Sequence, residues 1–156
     1  MGTETEDNEK AIGRIRKAIS FRLARLNVLL NAQAVRALQT SSDLSLNEWR
    51  VFYLVHNLQP VTPRGLSGPA AMDPSLISRG VTSLMEKGLL SATRSADDQR
   101  KRLLRLSDAG EELMSKLGPV MAARRAKMDA QLTEEEHLML DRIIQKLERQ
   151  ANPEED

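Results

Sequence analysis

Cysteine is absent from the 156-residue sequence. Disulfides, thiol redox sensing, thiol nucleophiles and cysteine-based zinc sites are excluded together. No apolar run approaches the roughly 18 to 20 residues that a membrane-spanning helix requires. The opening stretch, MGTETEDNEK, is acidic and has no apolar core, so it predicts no secretory signal. Glu6 stands where a myristoylation motif needs Ser or Thr. These absences suit a soluble, cytoplasmic protein. Catalytic patterns are missing too: there is no nucleophile–base grouping and no phosphate loop, and the carboxylates follow helix caps and i,i+4 spacings. The two histidines, His56 and His137, are far apart, and no His/Glu cluster has the spacing of metal ligands. The sequence therefore predicts no enzyme, no metal and no other cofactor.

A hydrophobic content of 40% is sufficient for a real core in a single domain over residues 1–156. The net charge of +1 hides an uneven distribution. Residues 74–106 hold seven bases against three acids, a net +4, which leaves −3 for the rest. Both ends are acidic, so a polyanion would meet the middle of the chain.

From residue 9 to about 39, Ile12, Ile15, Ile19, Leu23, Leu26 and Leu30 recur at spacings of three and four, which predicts one long amphipathic helix. At ~1.5 Å per residue it would run about 45 Å, longer than a domain of this size needs for its own core, so part of its stripe is expected to meet another subunit. Ser45 and Glu48 form a capping box for a helix that is apolar nearly all round and closes at Pro60. VTPRGLSGPAA reads as a shorter, weaker helix with Thr62 as cap and Pro63 in the first turn. In MDPSLISRGVTSLMEKGLL, Asp73 caps, Pro74 opens the helix and Gly88 ends it. Residues 90–94 and 102–106 read as a hairpin, with Leu104 and Leu106 on one face and Ser107 capping the next helix. A long helix over 108–131, kinked at Gly118-Pro119, precedes a last one capped by Thr133 and Glu136, with Leu140, Ile143, Ile144 and Leu147 turned inward.

On the helix after Asp73, Ser75, Ser78, Arg79 and Thr82 fall on one face, and Ile77, Val81 and Leu84 on the opposite one. Short hydrogen-bonding groups with one arginine suit base edges and phosphates. By itself such a face is ordinary, because most amphipathic helices turn a polar side to water. The neighbourhood changes the reading: a short helix and turn precede it, and a hairpin with Arg94, Arg100, Lys101, Arg102 and Arg105 follows. Together they predict a mostly α fold with a small β-hairpin wing, a winged helix-turn-helix plus a helical dimerisation region. The DNA-binding lobe is expected over about 41–107, and the dimerisation region over about 9–40 and 108–150.

The chain resembles the MarR family of bacterial transcriptional regulators. DDQRKRLLRLSDAG is similar to the family's wing signature at Asp98, Arg100, Leu106, Ser107 and Gly110, and PSLISRGVTSLMEKGLL is similar to its recognition helix. The resemblance covers about residues 9–150. It implies an obligate homodimer on a pseudo-palindromic operator, with one recognition helix in each of two successive major grooves and repression as the commoner behaviour. It further implies DNA contacts from Ser75, Ser78, Arg79 and Thr82, and a wing tip that inserts Arg100, with Asp98 holding that guanidinium or a neighbouring basic side chain; the competing reading makes Asp97 and Asp98 solvated loop charge. Arg94, Lys101, Arg102 and Arg105 would add general phosphate attraction. RGLSGPAA departs from the family's usual Leu-Ala pair, and mid-helix Gly80 costs ~1 kcal/mol relative to alanine unless close packing demands it.

The resemblance also implies release from DNA by a small, often aromatic, acid. Arg22, on the edge of the first apolar stripe, could clamp a carboxylate, with Trp49, Tyr53 and His56 lining the same crevice. The competing reading makes Arg22 a snorkelling or dimer-bridging arginine and the rings core. The alternative function is a helical protein-interaction module whose winged domain does not bind DNA.

Overall fold

The computed structural model describes residues 12–70, 72–94 and 101–151. The chain divides into two compact units, Met1–Leu117 and Gly118–Asp156. Within the first, residues 12–17 are helical and α1 covers Ile19–Ser41, with Ala18 extended between them (φ −64°, ψ 133°). The single helix expected over 9–39 is thus interrupted; residues 9–11 lie outside the described residues. Alanine is the strongest helix former, so propensity carries no sign of this break.

The winged arrangement is built from local signals that the structure honours one by one. Helix α2, Leu46–Leu58, opens on the expected capping box: the Ser45 hydroxyl accepts from the Glu48 amide at 3.2 Å, and the Glu48 carboxylate accepts from the Ser45 amide at 2.7 Å. Its Trp49, Val51, Phe52 and Val55 are buried, which fits a central helix that is apolar nearly all round. A 3-10 turn, Arg64–Leu66, runs into the four-residue α3, Ser67–Ala70. Thr62 accepts from the Gly65 amide at 3.1 Å, and Leu66 is fully buried, so the weak segment is held by one cap and one apolar anchor.

Helix α4, Pro74–Glu86, starts where the Asp73 carboxylate accepts from the Ser75 amide at 2.7 Å. It ends in a left-handed Gly88 (φ 69°), with the Leu89 amide bonded to the Leu84 carbonyl and the Gly88 amide to the Met85 carbonyl, both at 2.9 Å. Strands β1, Leu90–Arg94, and β2, Arg102–Leu106, pair antiparallel from Leu90↔Leu106 to Arg94↔Arg102. Val61 bridges the other edge of β2 through two hydrogen bonds with Leu104. Leu90, Leu104 and Leu106 are buried with Phe52, Ile77 and Leu84 in one core; fully burying each such side chain contributes roughly 1.5–3 kcal/mol of transfer free energy.

Ser107 caps α5, Asp108–Asp129, by accepting from the Gly110 amide at 3.1 Å, and the helix carries Pro119 inside it. In the second unit, α6, Glu134–Ala151, has the expected Thr133–Glu136 box (2.8 and 3.3 Å). Its stripe is a correction to the sequence reading. Leu140, Ile143 and Ile144, expected to point inward, are 44%, 46% and 40% exposed, and α6 buries none of its residues. Apolar periodicity says that a face is to be covered, and the described residues of the second unit by themselves leave it uncovered. Ile15, Ile19, Leu23 and Leu26 in the first unit are likewise exposed.

Candidate nucleic-acid interface

Helix α4 separates its two faces cleanly. Ile77, Gly80, Val81 and Leu84 are buried, whereas Ser75, Ser78, Arg79 and Thr82 are exposed together. Gly80 sits where α4 meets α2. A methyl group there would lie 2.8 Å from Cγ2 of Val51 and 3.1 Å from Nδ2 of Asn47. Close helix–helix approach, rather than turn geometry, is therefore the reason for glycine in mid-helix. The approach also lets Asn47 Nδ2 donate to the Leu76 carbonyl at 3.0 Å.

On the exposed face the Arg79 guanidinium folds back toward the Ser75 carbonyl and hydroxyl, 3.4 Å from each. Both contacts are longer than an ordinary N–H···O bond, so they are easily exchanged for a stronger acceptor. Asp73 feels the same surroundings: hydrogen bonds from Ser75, and the nearby Arg79 charge, hold its carboxyl below the usual carboxylate range.

The root of the wing places Arg94 directly opposite Arg102 in the ladder, both exposed. Like charges paired across strands are destabilising, and a phosphate backbone is a ligand that relieves them. Arg105, opposite Ser91, lies on the other face of the hairpin. Lys101 is exposed just before β2. Asp98 and Arg100 lie outside the described residues.

One group escaped the sequence reading, which saw Glu48 only as a cap. Its residue is 7% exposed. One carboxylate oxygen accepts from the Ser83 hydroxyl at 2.6 Å and from Lys87 Nζ at 2.9 Å, while the other takes the Ser45 amide. Lys87 also donates to the Asp43 carbonyl at 3.2 Å. Burial pushes the Glu48 pKa up, but the hydrogen bonds from Lys87, Ser83 and Ser45 outweigh it and bring the value to about 2. A carboxyl whose folded pKa lies below its unfolded 4.5 stabilises the fold above that pH and loses the contribution as pH falls toward 2. Urea unfolding from about pH 7 to about pH 3 should therefore show a shallower acid limb for Glu48→Gln than for the wild type, the difference being at most roughly 3 kcal/mol. Parallel acid limbs would contradict the assigned network.

The four candidate ligand residues are not gathered in one place. Arg22 lines an open cavity of about 580 Å³ with Arg16, Phe21, Arg25, Leu26 and Leu29. Trp49 is buried, with its ring 5.6 Å from Tyr53 and 6.4 Å from Phe52. His56 Nδ1 lies 3.7 Å from the Glu111 carboxylate. None of Trp49, Tyr53 and His56 lines the Arg22 cavity. Glu111 also accepts from Gln59 Nε2 at 2.9 Å, and Gln59 Oε1 accepts from the Leu106 amide at 2.8 Å, so a glutamine ties the end of α2 to the end of β2 and the start of α5. Among the described residues, no group of three His, Asp or Glu side chains could hold a metal ion. No described helix is long and apolar enough to cross a membrane.

Comparison with known proteins bears on the same region. Residues 44–101 match the MarR family. The fold is similar to a MarR/EmrR family transcriptional regulator from Acinetobacter sp. ADP1, at TM-score 0.78 and 19% identity, over 86% of this chain and 94% of that one. It is also similar to CouR from Rhodococcus jostii RHA1 bound to p-coumaroyl-CoA, at TM-score 0.74 and 22% identity, over 89% and 95%. The transcriptional repressor CouR bound to a 23-mer DNA duplex aligns at TM-score 0.74 and 16% identity, over 88% and 97%.

Proposed function

We propose, from the match of residues 44–101 to the MarR family and the winged-helix fold, that this chain is a MarR-family, sequence-specific, duplex-DNA-binding transcriptional repressor, acting in the cytoplasm as a homodimer. The observation that carries the reading is the exposed face of α4. Ser75, Ser78, Arg79 and Thr82 stand together on a helix that buries Ile77, Gly80, Val81 and Leu84 on its opposite side. That helix can enter a major groove without unpacking, and its side chains are of the size and polarity that base edges accept. Arg94, Lys101, Arg102 and Arg105 supply phosphate attraction around it, and Asp98 and Arg100, which lie outside the described residues, are proposed to contact DNA with them. Two-fold symmetry then requires half-sites about one helical turn, roughly 34–36 Å, apart.

The exposed stripes of α1 and α6 support the dimer. Ile19, Leu23 and Leu26 in one, and Leu140, Ile143 and Ile144 in the other, are apolar rows that a second copy would cover. For release from the operator we propose a small aromatic acid, with Arg22 as the carboxylate clamp. The Arg22 cavity supports this because it combines guanidinium groups with the Phe21 ring. Trp49, Tyr53 and His56 do not line that cavity and are not part of the proposed clamp.

Arg79→Ala tests the reading of α4. Operator affinity should fall by ~1 to 3 kcal/mol, and the preference at one base pair per half-site should relax, as read by selection from randomised duplexes. An equal loss on every duplex would make Arg79 a phosphate contact instead.

A further inference from the structure

The seam between α2 and α4 carries polar contacts beside its apolar ones. Along α2 it presents Asn47, Glu48 and Val51; along α4 it presents the Leu76 carbonyl, Gly80, Ser83 and Lys87. At the middle, Gly80 against Val51 is a contact of shape alone. Shape and burial bring helices together, but hydrophobic attraction is non-directional and permits one helix to turn against another. The polar bonds lie on either side of that midpoint. Asn47 holds the Leu76 carbonyl, and Glu48 holds Ser83 and Lys87. Lys87 extends the hold to the Asp43 carbonyl, in the loop that leaves α1. Anchors of limited length and angle on both sides of a pivot fix rotation about the helix axis as well as translation along it.

The magnitude matters for reading bases. A turn of ~10° about an axis whose side chains reach roughly 6 Å moves their tips by about 1 Å. That is enough to break a hydrogen bond with a useful range of ~2.7–3.2 Å. A phosphate contact made by a long, exposed basic side chain tolerates the same turn. The Glu48–Lys87 pair, with only the carboxylate buried, is moreover weak evidence for stability, because desolvation of the carboxylate offsets part of the attraction.

We infer that Glu48 and Lys87 are positioning residues for DNA reading: they set the rotation of α4, and so the aim of Ser75, Ser78, Arg79 and Thr82, without touching DNA. The inference rests on the proposed DNA-binding function. Glu48→Gln keeps the shape, and its single oxygen can still accept from the Ser45 amide while the Ser83 hydroxyl turns to accept from the new amide nitrogen, but it removes the charge that holds Lys87. Lys87→Met removes the other partner from the outside of the helix, and keeps the test available if the first variant folds poorly.

The experiment first uses the wild-type full chain to enrich a duplex from a random 24-base-pair library. Affinities of all variants are then measured for that duplex and for a random one, as a function of salt, alongside their melting temperatures. Either single variant should bind the enriched duplex about tenfold more weakly while its affinity for the random duplex stays within about twofold and its salt slope is unchanged. The double variant should be no worse than the worse single one, as expected of a coupled pair. A loss equal on both duplexes, a shallower salt slope, or undiminished discrimination would each overturn the positioning role while leaving the regulator reading intact. Failure of the wild type to enrich any duplex would overturn the DNA-binding reading itself, and this inference with it.

Discussion

Replacing Gly110 with alanine will lower the unfolding midpoint by roughly 6–12 °C, a loss of ~3 kcal/mol or more. Gly110 is buried in the first turn of α5, and its backbone is not in the left-handed region, so conformational freedom is not what it supplies. What it supplies is room. A methyl group would fall inside the van der Waals envelope of the Leu89 carbonyl oxygen and within 3.2 Å of Leu106 Cγ. The carbonyl has little freedom to retreat. Leu89 follows the left-handed turn at Gly88, and its oxygen accepts from the Ser107 amide at 3.1 Å. The strain therefore falls on the junction of α4, β2 and α5, and a domain whose total stability is ~5–15 kcal/mol loses a large share of it. Gly13→Ala is the control. Gly13 is helical with nothing near its missing side chain, so alanine there should be neutral or stabilising by up to ~1 kcal/mol. Thermal melts of the two variants settle the matter; a Gly110→Ala protein that melts with the wild type would contradict the packing described.

Gly110 also illustrates which parts of the molecule were legible in the sequence. Signals confined to a few residues were read correctly: the Ser45–Glu48 box, the Asp73 cap with Pro74, the Gly88 terminator and the two hairpin strands all stand where local chemistry puts them. The separation of α4 into a buried and an exposed face was equally legible, because helical periodicity alone determines it. Pairings between distant residues were not. Nothing in the vicinity of Glu48 announces Lys87, 39 positions on, and the contact exists only because Gly80 lets α4 approach α2 closely enough. The same limit applies to the last helix. Its apolar row is plain in the sequence, but a row does not say which surface covers it, and the second unit by itself leaves it exposed. The break at Ala18 has no local marker at all.

Charge adds the second large effect. A chain with a net charge of only +1 gathers Arg79, Arg94, Lys101, Arg102 and Arg105 on α4 and around the wing, and even opposes Arg94 to Arg102 across a ladder. Such an arrangement costs stability in the free protein, and it is expected where a polyanion takes up the excess. Each phosphate neutralised releases condensed counterions, so affinity must fall steeply with salt, by a power close to the number of contacts. A dimer that makes about six to ten phosphate contacts loses ~10³ to 10⁵ in affinity between about 50 and 200 mM salt.

Duplex affinity as a function of salt, measured with the wild-type protein and its enriched duplex, is accordingly the most direct measurement. A DNA-reading dimer gives tight binding at low salt and that steep fall, with the enriched duplex staying well above a random one throughout. Weak binding that is flat with salt for every duplex would mean that the winged domain does not bind DNA, and that the exposed face of α4 is only a solvated helix.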